Sequence, residues 1–365
     1  MSTLIDYSST CIYYLLMSAL QQRNPSRASL WDDYRDNFSR HLIGVARHLQ
    51  LRMMHTLMQE CGHSELRLGF APYITLIGSQ GRRLSGLAEV LGISRQACNQ
   101  AVRQLEQAGY VSSEPDPADR RARQLVLSNN GRRLRRDGVR ILRKLDAEFT
   151  LLAGSAEVED ATRSLGMIYQ SLSLGLRSDN EPRVLYSGMG GLLPRLSDYT
   201  LHRLMQLTRQ RGHPQLRLCH GQVLTLIGPG GGRIQQMATI QDVSKQAISA
   251  IATELEALGY LARETDTADA RQVLLHFTAQ GERLIADSVA SVADLESEFA
   301  AITGHAAMHR LRSTLHTLYH GLHLERGVFE YGRHDEIHAL AEQLKRQLGD
   351  DASQALARLL LNPSQ

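Results

Sequence analysis

The stretch LAEVLGISRQACNQAVRQLEQAGYVSSEPDPADRRARQLVLSNNG, residues 87–131, decides how this chain is read. It begins inside a short helix whose apolar positions are Leu84, Leu87, Ala88 and Leu91, and it turns at Gly92. Ser94 then offers a hydroxyl to the free amides of a new first turn. Over 94–108, Ala97, Ala101, Val102, Leu105 and Ala108 share one stripe, predicted to be buried. Arg95, Gln96, Asn99, Gln100 and Arg103 share the opposite face, which carries hydrogen-bonding side chains and no carboxylate. Gly109 ends the helix. Tyr110–Glu114 and Gln124–Ser128 read as two short strands around the polar loop Pro115–Arg123. This order makes 94–108 a recognition helix suited to base edges and phosphates in a DNA major groove. Arg120, Arg121 and Arg123 on the hairpin can reach an adjacent minor groove, where a narrow A·T-rich stretch attracts guanidinium groups. Asp116 and Asp119 are no phosphate ligands; they are predicted to pair with neighbouring arginines and fix the hairpin.

Working outward, residues 66–134 recur at 216–284 without a gap, at an offset of 150, with 26 of 69 positions identical. A period this long is a duplicated domain and no solenoid, whose units run at roughly 20 to 50 residues. Long amphipathic segments precede both copies, at 37–62 and 187–212, and long helices follow them, at 130–152 and 156–174, then 280–302 and 304–324. The second copy's strands are expected at 260–264 and 273–278. The polar run 177–183, with Pro182, is the linker. The expected organisation is therefore an N-terminal extension at 1–36 with a short apolar helix, units at 37–176 and 187–326 joined by 177–186, and a helical extension at 327–365.

The strings at 87–131 and 237–281 resemble the MarR family of winged-helix transcriptional regulators. Both have Ser-(Arg/Lys)-Gln-Ala at the start of the recognition helix, Leu-Glu-x-x-Gly-Tyr at its exit and Asp-x-x-Asp in the wing. The resemblance spans about 37–175 and 187–325. It implies a mainly α fold with small β-wings, long helices forming a dimer interface, and two heads facing successive major grooves. It also implies regulation by a small phenolic or amphipathic effector, an oxidant or a metal. Carried over by position, Arg121 takes the wing-tip place in the minor groove, and Gln96, Asn99 and Gln100 take base-facing places. Arg95 and Arg103 take phosphate or guanine contacts.

Because two units share one chain, the expected architecture is two tandem copies forming an intramolecular pseudo-dimer. The copies are unequal. The second keeps Lys245, Gln246, Ser249 and Arg271, but has Ala250 for Gln100, Thr253 for Arg103, Ala270 for Arg120 and Val273 for Arg123. Formal charge is about +5 over 66–134 and about −1 over 216–284. Fewer phosphate contacts mean weaker, less salt-sensitive attachment by the second head.

Other signals bound the function. The whole chain of 365 residues carries a net charge of only +3, with 42% apolar and 22% charged residues, as in soluble globular proteins. Four cysteines form no CxxC pair, which points to a reducing cytoplasm. The apolar run 11–20 is too short to span a bilayer, so no membrane partner is expected. Gly228-Pro-Gly-Gly-Gly-Arg233 lacks a Walker lysine and reads as a flexible connection. His316, His320 and His323 fall at i, i+4 and i+7 and could hold zinc with Glu325; ordinary polar positions on an interface helix are the plainer reading, and no metal or cofactor is expected. Cys98 and Cys11 are weak redox candidates. No nucleophile–base or paired-carboxylate motif supports an enzyme. The expected partners are double-stranded DNA, an effector and, besides the pseudo-dimer, a possible second copy. The rival expectation is a winged-helix scaffold that has lost operator binding.

Overall fold

The computed structural model describes residues 25–91, 93–117, 119–174, 188–241, 243–265 and 273–325. The apolar run 11–20, the helical extension expected at 327–365 and the linker at 177–183 lie outside these residues. The chain divides into two units, one holding 37–203 and 292–324, the other 1–36, 204–291 and 325–365.

In the first of these units, α2 (Phe38–His55) starts where the Asn37 side chain accepts from Arg40 N at 3.0 Å. A π-turn, Thr56–Glu60, extends it toward Gly62. Then follow α3 (Ala71–Ile77), α4 (Leu84–Leu91) and α5 (Arg95–Gln107). The antiparallel ribbon β1 (Val111–Asp116) and β2 (Asp119–Leu127) leads into α6 (Asn129–Ala153) and α7 (Ser155–Ser171). The unit also holds most of α8 (Met189–Gln210), the end of α12 (Ala279–Thr303), and α13 (His305–Gly321).

Its core is the seam of these long helices. α13 packs against α7, α2 and α6. Leu311, Leu315 and Leu318 recur at i, i+4 and i+7 and are fully buried, as are Leu42 and Leu49 of α2 and Leu165 and Ile168 of α7. Phe38 and Phe299 meet edge to face at 6.0 Å between ring centres. α2 approaches α13 so closely that a Cβ on Gly44 would lie 2.6 Å from the Tyr319 ring.

The other unit contains α1 (Pro25–Arg35), then α9 (Leu218–Leu224), β3 (Gly232–Arg233), α10 (Ile234–Gln241), α11 (Lys245–Ala257), β4 (Leu261–Thr265) and β5 (Val273–Phe277). Trp31 and Tyr34 of α1 bury against Ile285, with Phe277 edge-on to Trp31 at 5.8 Å, and Tyr34 donates to the Leu224 carbonyl at 3.1 Å. Helix α1 lies in the extension at 1–36, where a short helix was expected from the apolar run 11–20; Leu30, Trp31 and Tyr34 after Pro25 were the signal for its place.

Three local expectations need correction. The wing strands are longer than read: the pairing continues through Pro115 with Arg123 and Asp116 with Asp119, so the arginines lie in strand β2 and Pro117 is in the turn. Beyond the buried base at Val111, Leu125 and Leu127, the ribbon is mostly exposed and needs no apolar face, so its composition there resembled a loop. The glycine-rich segment is ordered structure too. Gly228 and Gly231 exchange backbone hydrogen bonds, and Gly232–Arg233 pairs with Leu275 and Leu274 as a third strand. Arg82 and Leu125 make the corresponding bridge beside the first ribbon. In α5 the buried stripe is Cys98, Val102 and Leu105, whereas Ala97 is exposed; the Ser94 cap holds, accepting from Ala97 N at 3.1 Å.

Both heads dock on the following long helix through a glycine. A Cβ on Gly131 would lie 2.1 Å from the Tyr110 carbonyl, and one on Gly281 would lie 2.2 Å from the Tyr260 carbonyl. Gly131→Ala and Gly281→Ala are therefore expected to destabilise their units by about 1–3 kcal/mol, the usual cost of overpacking. Urea unfolding curves matching the parent protein would contradict the close approach.

Candidate nucleic-acid interface

A face able to meet a duplex needs exposed donors on a rigid element, and α5 supplies one. Its buried stripe anchors the helix, with the Cys98 thiol fully enclosed and 3.8 Å from the Leu84 carbonyl. Burial pushes that thiol pKa up, so Cys98 is a packed hydrophobe and no exposed redox group. Arg95, Gln96, Gln100 and Arg103 are exposed on the other side, and Asn99 is half-buried. Gly109 (φ +75°) reverses the chain, while Tyr110 N returns to the Leu105 carbonyl at 3.0 Å.

The ribbon is braced as the acidic residues suggested. Arg83 Nε donates to Asp116 at 2.6 Å, and its Nη2 lies 3.8 Å from Asp119. Asp119 in turn accepts from the Arg121 backbone N at 3.1 Å, while the Arg121 side chain stays exposed. Arg123, also exposed, folds across the ribbon onto Ser113 Oγ at 2.8 Å. Arg120 occupies β2.

The second head repeats the frame with different chemistry. Ser244 caps α11, accepting from Ala247 N at 3.2 Å, and Ile248, Ala252 and Leu255 form its buried stripe. Lys245, Gln246, Ala250 and Thr253 are exposed, and Ser249 is half-buried. Arg271 and Ala270 lie outside the described residues. Glu254 places a carboxylate on this helix, where it bonds Arg217 and receives His220 Nε2 at 3.0 Å. His220 Nδ1 accepts from Arg217 N at 3.2 Å, so the ring proton sits on Nε2. The first head has Phe70 and Gln104 at the matching positions, with Arg67 donating to Gln104 at 3.2 Å.

Sequence reasoning missed a contact set that both heads share. His63 lies against the Tyr110 ring and bonds Asp137 at 3.0 Å. His213 bonds Tyr260 Oη at 2.8 Å and Asp287 at 3.0 Å. Each set ties the turn after a long first helix to the recognition-helix exit and to the next long helix. Its signal was present: His63 with His213 and Asp137 with Asp287 keep the 150-residue offset beyond the ungapped stretch.

The histidines of α13 divide differently from the expected face. His316 and His320 ring centres are 4.3 Å apart, and the buried His41 ring of α2 lies 5.3 and 5.7 Å from them. His323 lies past the helix end at φ +54° and leaves the i, i+4, i+7 row.

Residues 73–122 match the family model described as MarR family, so the first head carries a MarR family domain. No curated protein matches the chain. Similar solved structures include a MarR-family transcriptional regulator from Rhodococcus sp. RHA1, 24% identical, covering 36% of this chain and 91% of its own, at TM-score 0.30. CouR from Rhodococcus jostii RHA1, solved with p-coumaroyl-CoA, is 25% identical, covering 37% and 93%, at TM-score 0.30. The regulator Tm0710 from Thermotoga maritima is 22% identical, covering 38% and 94%, at TM-score 0.28.

His220 gives the second head a pH dependence. Burial, then the Arg217 charge, lowers its pKa, so the fold favours the neutral ring. That stability is present above the ordinary value of about 6.5 and is lost as pH falls through the lower folded-state value. His220→Phe, which installs the first head's residue, is expected to flatten the acid-side fall of the melting temperature. Parallel profiles for the variant and the parent would refute this role.

Proposed function

We propose that the chain is a sequence-specific, double-stranded-DNA-binding transcriptional regulator of the cytoplasm. It acts as a repressor, in the form of a single-chain pseudo-dimer on an asymmetric operator, and responds to a small amphipathic or phenolic effector. One observation carries the reading. Two serine-capped helices, α5 and α11, each expose a cation and a glutamine in the first turn and each lead into an antiparallel ribbon. A helix presenting such side chains can read base edges, while the cations hold phosphates.

The pseudo-dimer is supported by the seam in which α13, the last helix of the second repeat, packs on α7 and α2 of the first. Thr314 Oγ1 reaches the Glu157 carbonyl at 3.5 Å across it, and Arg310 pairs with Asp160 at 3.1 Å. An operator read by this arrangement is an imperfect palindrome, because Gln100 faces outward on one head and Ala250 on the other. Among the described residues no helix is long and apolar enough to cross a membrane.

A second reading, a scaffold without operator binding, draws on the second head alone, where Ala250 and Thr253 replace polar and cationic groups and Glu254 adds a carboxylate. Retention on nonspecific DNA across a salt series separates the two. The regulator reading expects log affinity to fall with log salt, by about 0.9 per phosphate neutralised, whereas a flat response supports the scaffold.

Arg121→Ala is expected to weaken operator binding more than Arg271→Ala, since the first wing has further arginines beside it. Gel-shift titrations at one salt concentration, using DNA selected from the host genome, check this. Equal losses would overturn the inequality of the heads.

A further inference from the structure

At repeat-equivalent positions between 216 and 284 the second head loses Arg82, Arg103, Arg120, Arg123 and Arg132 of the first, replacing them with Gly232, Thr253, Ala270, Val273 and Glu282. It gains a cation at one place only: Arg263 stands where the first head has Ser113. The surroundings of that residue give the exchange a meaning. In the first head Arg123 comes from the neighbouring strand and lays its guanidinium on Ser113. In the second, Arg263 starts from the Ser113 position and turns the other way, onto the recognition helix. Its Nη2 donates to Thr253 Oγ1 at 2.8 Å and to the Ser249 carbonyl at 3.1 Å, and its Nε meets Glu256 at 2.7 Å. Thr253 is the counterpart of Arg103. The guanidinium therefore stands on the helix at the site where the first head grows its own.

We propose that Arg263 is the phosphate-contacting cation of the second head, supplied from the wing strand in place of the recognition-helix Arg103; this rests on the DNA-binding reading above. A guanidinium has five N–H donors in a rigid fork. Nε and both Nη2 hydrogens are engaged within the head, which fixes the fork. The Nη1 donors have no hydrogen-bond partner among the described residues and remain for a phosphate oxygen. About a third of the side chain is exposed. Fixing the fork in advance removes part of the side-chain ordering cost on binding, which a free arginine must meet at that moment. Glu256 has the opposite effect, since its carboxylate offsets the charge that a phosphate would attract. The second head is thus an attenuated anchor. It keeps register on the duplex while the first head does more of the reading.

The test uses the full chain and a mixed-sequence DNA duplex, because phosphate contacts do not depend on sequence. Affinity is measured by fluorescence anisotropy over a salt series for the parent, Arg263→Ala, Arg103→Ala and Glu256→Gln. Arg263→Ala is expected to lower affinity and reduce the salt slope by about 0.9, matching Arg103→Ala. Glu256→Gln is expected to raise affinity and steepen the slope, since it leaves the arginine in place and removes only the opposing charge. If Arg263→Ala weakens binding with the slope unchanged, Arg263 is a brace between wing and helix and the proposal falls. Glu256→Gln that binds like the parent also overturns it, and does so even if the alanine variant is misfolded. A parent protein with no salt-dependent DNA binding sinks the DNA-binding reading itself, which is a separate result.

Discussion

The burial of α13 against α7 and α2 is the interaction on which the first unit depends. Leu311, Leu315 and Leu318 are fully enclosed there, and burying a leucine is worth about 1.5–3 kcal/mol. The polar contacts along the same seam are of another order. Arg310 and Asp160 are both substantially exposed, and a pair of that kind contributes about 0–1 kcal/mol. Apolar packing therefore decides the association, and the ion pair helps to set its register. The approach at Gly44 marks the limit: the Tyr319 ring fills the space a side chain would need. One consequence is that the compact units do not follow the repeat. The last helix of the second repeat belongs with the long helices of the first, because its apolar face is covered there.

The same frame is kept in both heads while the exposed chemistry changes. Ser94 and Ser244 cap, Gly109 and Gly259 reverse the chain at φ +75° and +80°, and Gly131 and Gly281 admit a carbonyl. The buried stripes also balance. Cys98, Val102 and Leu105 become Ile248, Ala252 and Leu255, so a larger side chain at one place accompanies a smaller one at the next. Close-packed interiors tolerate such volume-conserving exchanges far better than single changes. The exposed face is not held to such a balance: Gln100 and Ala250, or Arg103 and Thr253, project away from the buried stripe.

This difference explains what the sequence made legible. The limits of α4 to α8, α12 and α13 followed to within a few residues from periodicity, capping serines and terminal glycines, which act locally. The extent of the wing did not, because the ribbon beyond Val111, Leu125 and Leu127 is mostly exposed and has no apolar alternation to reveal it. The third strand at Gly232–Arg233 was hidden for a related reason: its partner, β5, lies some 40 residues further along the chain, and pairing over that distance leaves no local mark. The exposed face of α5 was legible at Arg95, Gln96, Gln100 and Arg103, and misjudged at Ala97, where an apolar residue lies outside the stripe. The His–Asp sets were missed for want of any motif, although their repetition at one offset was visible.

Charge counting shows the same limit in a sharper form. A sum over 66–134 or 216–284 weighs every cation alike, yet the structure spends them differently. Arg83 is committed to Asp116, and Arg217 to Glu254, so each serves its own head before any partner arrives. Arg95, Arg103, Arg121 and Lys245 are exposed and make no ion pair among the described residues. The free energy from counterion release depends on the cations that can exchange solvent for phosphate, and net charge is a poor proxy for that number. By this measure the gap between the heads is narrower than the formal charges of about +5 and −1 suggest. Much of the second head's negative charge lies in carboxylates already joined to arginine or histidine, as Glu254 and Glu256 are. The heads therefore differ in the side chains they expose as well as in the cations left unpaired among the described residues.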